Sequence, residues 1–209
     1  MDKITKAEIT GMLQAASDVM EANRDYLCEL DAQMGDGDLG LTMTKAFLAA
    51  AQEAQESELD DLGKLLMRCG MKMNSAAPST MGTLMSSGMM AVGKALGGKT
   101  DLSPADMQTF FASFADGIAK RGKCQVGERT VLDSIASAST AAALATGDIC
   151  AITKAAGAGA KEGLEKTKDM KPVYGKAAIF ADRAAGHIDQ GALAGQLFVQ
   201  AIADYFSVK

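Results

Sequence analysis

The chain has 209 residues, of which 48% are hydrophobic and 22% charged, with only 3 prolines and a formal net charge of -5. That is enough chain to bury a sizeable core and it excludes a disordered polypeptide; with no linker-like stretch, residues 1–209 are expected to form one domain. The acidic balance lacks the basic stripe that displaces counterions from a phosphate backbone, so nucleic acid is excluded as a partner.

Four cysteines, Cys28, Cys69, Cys124 and Cys150, are far apart and match no metal-ligand spacing, which predicts reduced thiols. No apolar run follows the N-terminal charges and none reaches the length of a membrane span, so a soluble, cytoplasmic protein is expected. Strand signals are nearly absent and the fold class is all-α.

The first predicted helix, near 5–22, carries Ile4, Ile9, Met12, Leu13, Ala16 and Met20 at helical spacing, and a second follows near 25–32. Between it and a helix near 40–55 lies Asp31-Ala32-Gln33-Met34-Gly35-Asp36-Gly37-Asp38-Leu39-Gly40. Three carboxylates within eight residues of a glycine-rich turn repel unless a cation compensates, and an all-oxygen set favours magnesium, calcium or manganese over zinc. An EF-hand is disfavoured, because the twelfth position from Asp36 is Phe47 and from Asp31 is Thr42. Asp38 stands where a helix N-cap belongs, so the positive end of the next helix would face the same place. A plain turn with a capping aspartate explains Asp36 to Asp38 equally, but leaves Asp31 at the unfavourable negative end of its helix.

Helices are next predicted near 59–74 and 80–97, the latter rich in methionine, which reads as adaptable core filler. Gly93-Lys94-Ala95-Leu96-Gly97-Gly98-Lys99-Thr100 meets the P-loop pattern, yet it follows a helix rather than a strand, and Pro104 prevents a helix running on from Thr100. A glycine helix stop with a solvated lysine is the expected structure. Ser103-Pro104 opens a helix near 103–120, and Thr130 with Asp133 forms a capping-box pattern opening one near 130–146. Helices near 150–166 and 190–206 complete nine stretches, about eight once short ones merge. The segment from Asp169 to Gln190, with Lys176, Arg183 and His187, is the longest without a clear helix, a place where function often sits.

Four ordered blocks resemble one family. They are the aspartate turn, Ser75-Ala76-Ala77-Pro78-Ser79-Thr80-Met81-Gly82-Thr83, then Arg121-Gly122-Lys123 with Gly127-Glu128-Arg129-Thr130-Val131-Leu132-Asp133, and Gly186-His187-Ile188-Asp189-Gln190-Gly191-Ala192. Together they look like the nucleotide-binding L subunit or domain of dihydroxyacetone kinases. The resemblance implies a closed barrel or bundle of about eight antiparallel helices, with ADP or ATP bound at one end beside two Mg2+ ions.

By that resemblance Asp31, Asp36 and Asp38 would be the metal ligands, and Leu39, Gly40, Leu41 and Thr42 would line the phosphate site. Ala76 and Ala77 would let backbone approach the nucleotide, with Ser79, Thr80 and Thr83 as hydroxyl donors, although helix packing also needs small residues. Gly122 and Val131 would flank the adenine, Lys176 would reach phosphate or sugar, and Asp189, Gln190 and Gly191 would close over the nucleotide. His187 is given a structural role, because family catalysis places the acceptor-binding histidine on a partner. Many members carry histidine at position 39, a serine-glycine pair near Ala77-Pro78 and proline at position 190.

The implied activity is phosphorylation of dihydroxyacetone or a similar short-chain ketose held on a separate K-type subunit, so no catalytic residue is expected here beyond the metal site. The alternatives are a captive-ADP subunit rephosphorylated by a phosphoenolpyruvate-linked phosphotransferase protein, a regulatory nucleotide-binding protein without transfer, or an L-type domain serving another acceptor. The leucine at 39 leans toward the ATP-using kinases. A homodimer is left open.

Overall fold

The computed structural model describes residues 1–180 and 184–209, without the side chains of Lys176 and Phe180. Among these residues the chain forms nine α-helices: α1 (Lys6–Ala22), α2 (Arg24–Ala32), α3 (Leu39–Glu56), α4 (Leu62–Ala76), α5 (Thr80–Ala95), α6 (Pro104–Gly122), α7 (Val131–Leu144), α8 (Ile149–Lys166) and α9 (Gln190–Ser207). Short 3-10 turns occur at Thr167–Asp169 and Lys176–Phe180, and the only extended pairing among the described residues is one bridge between Ile4 and Leu102. No described helix is long and apolar enough to cross a membrane.

Helix starts follow their capping chemistry. Asp61, Ser79, Ser103, Thr130, Asp148 and Asp189 each accept a hydrogen bond from an amide in the first turn of the helix they precede. Ser103 and Thr130 add capping boxes with Asp106 and Asp133, and Pro104 occupies the first turn of α6.

Eight of the helices close a ring. α1 packs on α3, then α4, α5, α6, α7, α8 and α9 follow in order, and α9 returns to α1. Neighbours run antiparallel: Thr10 of α1 bonds the Ala54 carbonyl of α3 while Thr44 bonds that of Met20. Short connections force this up-and-down course from α3 to α8, and a longer segment, residues 167–189, leads into α9. The ninth helix, α2, joins α1 across Asn23 and packs mainly on α3.

The ring interior is aromatic and aliphatic. Phe198 of α9 lies 5.1 Å from Phe47 of α3 and 5.0 Å from Phe114 of α6, ring centre to ring centre. These three helices meet across the barrel, and Met12, Met43, Met85, Met89 and Met107 fill the gaps between them, fully buried.

The P-loop look-alike is a helix end. α5 runs to Ala95, Gly98 has φ of +84°, and a Cβ on Gly93 would overlap the α4 backbone at Met67, so that glycine serves close helix packing. One expectation is corrected: Lys99 is not simply solvated but lies 3.1 Å from Asp106 of the next helix.

Candidate functional site

The acidic turn between α2 and α3 is folded around one of its own carboxylates. Asp31 Oδ2 accepts from the backbone amides of Gly37 at 2.9 Å and Asp38 at 3.1 Å, and its carbonyl accepts from Met34 and Gly35. Gly37 supplies the left-handed residue, φ +77°, and a Cβ on Gly35 would overlap Asp31 Oδ1. The wrapping brings one carboxylate oxygen each from Asp31, Asp36 and Asp38 within 4.8 Å of one another, with Asp31 buried and the others exposed.

Asp38 precedes α3 in the cap position, but its side chain makes no cap bond, unlike the six capping residues above. Asp38 thus holds the N-cap position expected of it, while the alternative of a capping side chain does not hold: its backbone, at ψ 3°, is not in the extended geometry of a cap. The carboxylate is left for the cluster. Three anions at one helix end, all oxygen donors and with exposed faces, fit a hard divalent cation that keeps open positions for phosphate oxygens.

Up-and-down alternation brings the N-termini of α3, α5, α7 and α9 to this same end. A small pocket of about 140 Å³ is lined by Asp31, Asp36, Asp38, Leu39, Thr42, Ser79, Thr80 and Met81. Beside it a cavity of about 340 Å³ takes lining from the first turn of all four helices, at Leu39, Thr80, Val131 and Gln190. It opens past Thr80, Leu84 and Tyr174 into a cleft of about 810 Å³ that reaches Thr83, Arg121, Gly122 and Cys124. Orphan amides and the positive ends of helix dipoles make such a convergence favourable to phosphate.

Most residues singled out in the sequence come together here: Leu39, Thr42, Ser79, Thr80, Thr83, Gly122, Val131, Asp189, Gln190 and Gly191 all line one of the three spaces. Four do not. Leu41 is 47% exposed, and Gly40 faces the other way, where a Cβ would overlap the Arg24 carbonyl. A helix turns about 100° per residue, so Leu39 and Thr42 share the site face and Gly40 and Leu41 cannot.

Ala76 is exposed at the end of α4, and Ala77 is buried in the turn beneath Gly82. The small size of Ala77 serves the close α4–α5 turn. The side chain of Lys176 lies outside the described residues, as does Arg183. His187 is exposed and contributes its carbonyl, which accepts from Arg129.

Several residues that frame the site were not assigned to it in the sequence-based reading. Arg129, 3% exposed and left-handed at φ +58°, donates to the carbonyls of Thr167, His187 and Ile188 and reaches Met34 Sδ at 4.0 Å. Burial pulls its pKa down, against the opposing charge of Asp189. Asp133 fastens the 123–130 loop through Gly127 and Thr130 amides at 2.6 and 2.7 Å, and Tyr174 donates to the Lys123 carbonyl across the cleft mouth. Arg129 and Asp133 stood in a block that carries the family resemblance, and Asp133 in the Thr130-x-x-Asp133 pattern, but Tyr174 had no sequence signal.

Asp189 caps α9 through Ala192 and is almost wholly buried; desolvation pushes its carboxyl up to about 6. Gln190 Nε2 lies 3.4 Å from Asp31 Oδ1, while its Oε1 is buried with no hydrogen-bond partner among the described residues. A buried acceptor left unsatisfied costs about 1–3 kcal/mol.

A family model described as the DAK2 domain matches residues 33–204. The chain is 24% identical over 203 residues to the ADP-binding subunit DhaL of a PEP-dependent dihydroxyacetone kinase from Escherichia coli (strain K12), covering 96% of this chain and 97% of that one. The corresponding subunit of the PEP-dependent dihydroxyacetone kinase 1 of Listeria innocua is 29% identical over 186 residues, 88% of each chain. An L-erythrulose 1-kinase of Mycolicibacterium smegmatis is 29% identical over 95% of this chain, which spans only 35% of that relative.

Among solved structures, the dihydroxyacetone kinase of C. freundii in complex with AMP-PNP and Mg2+ aligns with a TM-score of 0.71 at 25% identity, over 95% of this chain and 34% of that one. Its native form gives 0.73 at 22% identity. The eight-helix ring and the aspartate turn thus sit in a chain that belongs to the DAK2 domain family.

Proposed function

We propose that this chain is the ADP/ATP-binding, magnesium-dependent subunit of a dihydroxyacetone-kinase-type phosphotransferase, with residues 1–209 acting as one nucleotide-binding domain. The observation that carries the reading is the set of three carboxylates within 4.8 Å of one another, at the barrel end where four helices begin. The likeness to a kinase solved with AMP-PNP and Mg2+, and to subunits named as ADP-binding, supports it.

Asp31, Asp36 and Asp38 would hold the cations, whose charge offsets that of the nucleotide phosphates. The N-termini of α3 and α5, with the Ser79 and Thr80 hydroxyls, orient those phosphates, and the slot by Gly122 and Val131 receives the adenine. Phosphoryl transfer asks chiefly for positioning and charge neutralisation, so no further acid or base is needed on this chain. The ketose is carried on a separate K-type subunit: this chain matches about a third of the erythrulose kinase, the remainder of which leaves room for an acceptor-binding part. Activity then appears only in the complex.

Titration calorimetry of ADP and of ATP with and without magnesium, on the native chain and on Asp36→Ala, tests the reading. Binding that requires magnesium and is lost in the variant is the expected result; a folded, nucleotide-free chain that binds neither nucleotide would sink it. Release of nucleotide on dialysis is expected for a free ATP donor. Retention would instead support a captive ADP, in line with the PEP-dependent enzymes to which the full-length relatives belong.

A further inference from the structure

We propose that Gln190 is an outer-sphere partner of the divalent cation: its Nε2 holds Asp31, and its Oε1 accepts a hydrogen bond from a water on that cation. The inference rests on the metal reading of the aspartate turn and assigns a task to a residue outside it.

Gln190 opens α9 and reaches Asp31 across 159 positions of sequence, Nε2 to Oδ1 at 3.4 Å. The amide orientation follows from this contact, because exchanging its nitrogen and oxygen would set an acceptor against a carboxylate. Oε1 is then fixed on the same carbon as the nitrogen that holds Asp31. It is buried and, among the described residues, unpartnered.

What could satisfy it must be a donor. Phosphate oxygens are acceptors and cannot, while the neighbouring Arg129 is committed to three carbonyls. A magnesium ion held by a few carboxylates keeps several waters, each a strong donor, within reach of Asp31. Groups that hydrogen-bond a ligating side chain set its orientation and strengthen the site. A carboxamide bridging ligand and bound water does both.

The test uses the full, nucleotide-free chain and two variants. Gln190→Met keeps the bulk and removes both polar atoms; Gln190→Pro places proline at the first helical position, which tolerates it. Mn2+ titration followed by electron paramagnetic resonance is expected to show cation affinity about tenfold weaker in both. ADP affinity, weakened at low magnesium, is expected to return to the native value when magnesium saturates. Unchanged Mn2+ affinity in the variants overturns the inference alone, with Asp36→Ala losing the cation as the control. A deficit in ADP affinity that persists at saturating magnesium overturns it too, by assigning Gln190 to the nucleotide. A native chain that binds no Mn2+ removes the metal reading and this inference together.

Discussion

Burial holds the Asp189 carboxyl at about 6, above the ordinary 3.8, with Asp133 adding to the effect and the Arg129 charge opposing it. The folded state therefore binds this proton more tightly than the unfolded chain. Its contribution to stability is complete below about pH 4 and is lost as the pH rises through 6, amounting to about 3 kcal/mol for a two-unit shift. Asp189→Asn keeps an acceptor for the Ala192 amide and removes the titration, so urea unfolding in EDTA is expected to lose that slope between pH 4 and 7. An identical slope in the variant would mean that another group carries it. Residues such as this show where sequence reading stops. The three aspartates of the turn lie close in the chain and declare themselves, whereas Gln190 meets Asp31 and Arg129 meets His187 only after folding.

Helices were the most legible layer, because capping residues and glycine stops are local chemistry. Every predicted helix is present, with ends within about three residues of expectation. Which face of α3 meets the site was less legible: a run of four consecutive residues was read as lining, and the helical turn admits two of them. The 167–189 segment was the least legible. Its described residues are held by contacts to the rest of the chain: the Arg129 guanidinium on its carbonyls, the Tyr174 hydroxyl on the Lys123 carbonyl, and a small buried cluster in which Ala177 and Ala184 meet Met34. Arg129→Met is of similar size but takes the guanidinium donor from the His187 and Ile188 carbonyls and leaves the Thr167 carbonyl only the Met170 amide. It is expected to cost about 2–4 kcal/mol in urea unfolding and to speed amide exchange in residues 184–190; protection unchanged there would show that Arg129 does not pin the segment.

At the scale of the molecule, the all-α class was plain from composition and periodicity, but closure of the ring came from family resemblance, since helical spacing says nothing of which helix meets which. Closure has a geometric corollary. Closure makes the first and last helices neighbours, the even number of staves puts their outer ends on one rim, and Gly11 of α1 sits against Tyr205 of α9 toward that rim, away from the carboxylates. Topologically the polypeptide is a loop with one cut, and the place of the cut is arbitrary. Joining residue 209 to residue 1 by a short flexible linker and reopening the chain between Thr146 and Gly147, both exposed on that same rim, is expected to yield a permuted protein with unaltered magnesium-dependent ADP affinity by calorimetry. The distant rim is accordingly where extra polypeptide can be attached without disturbing the chemistry.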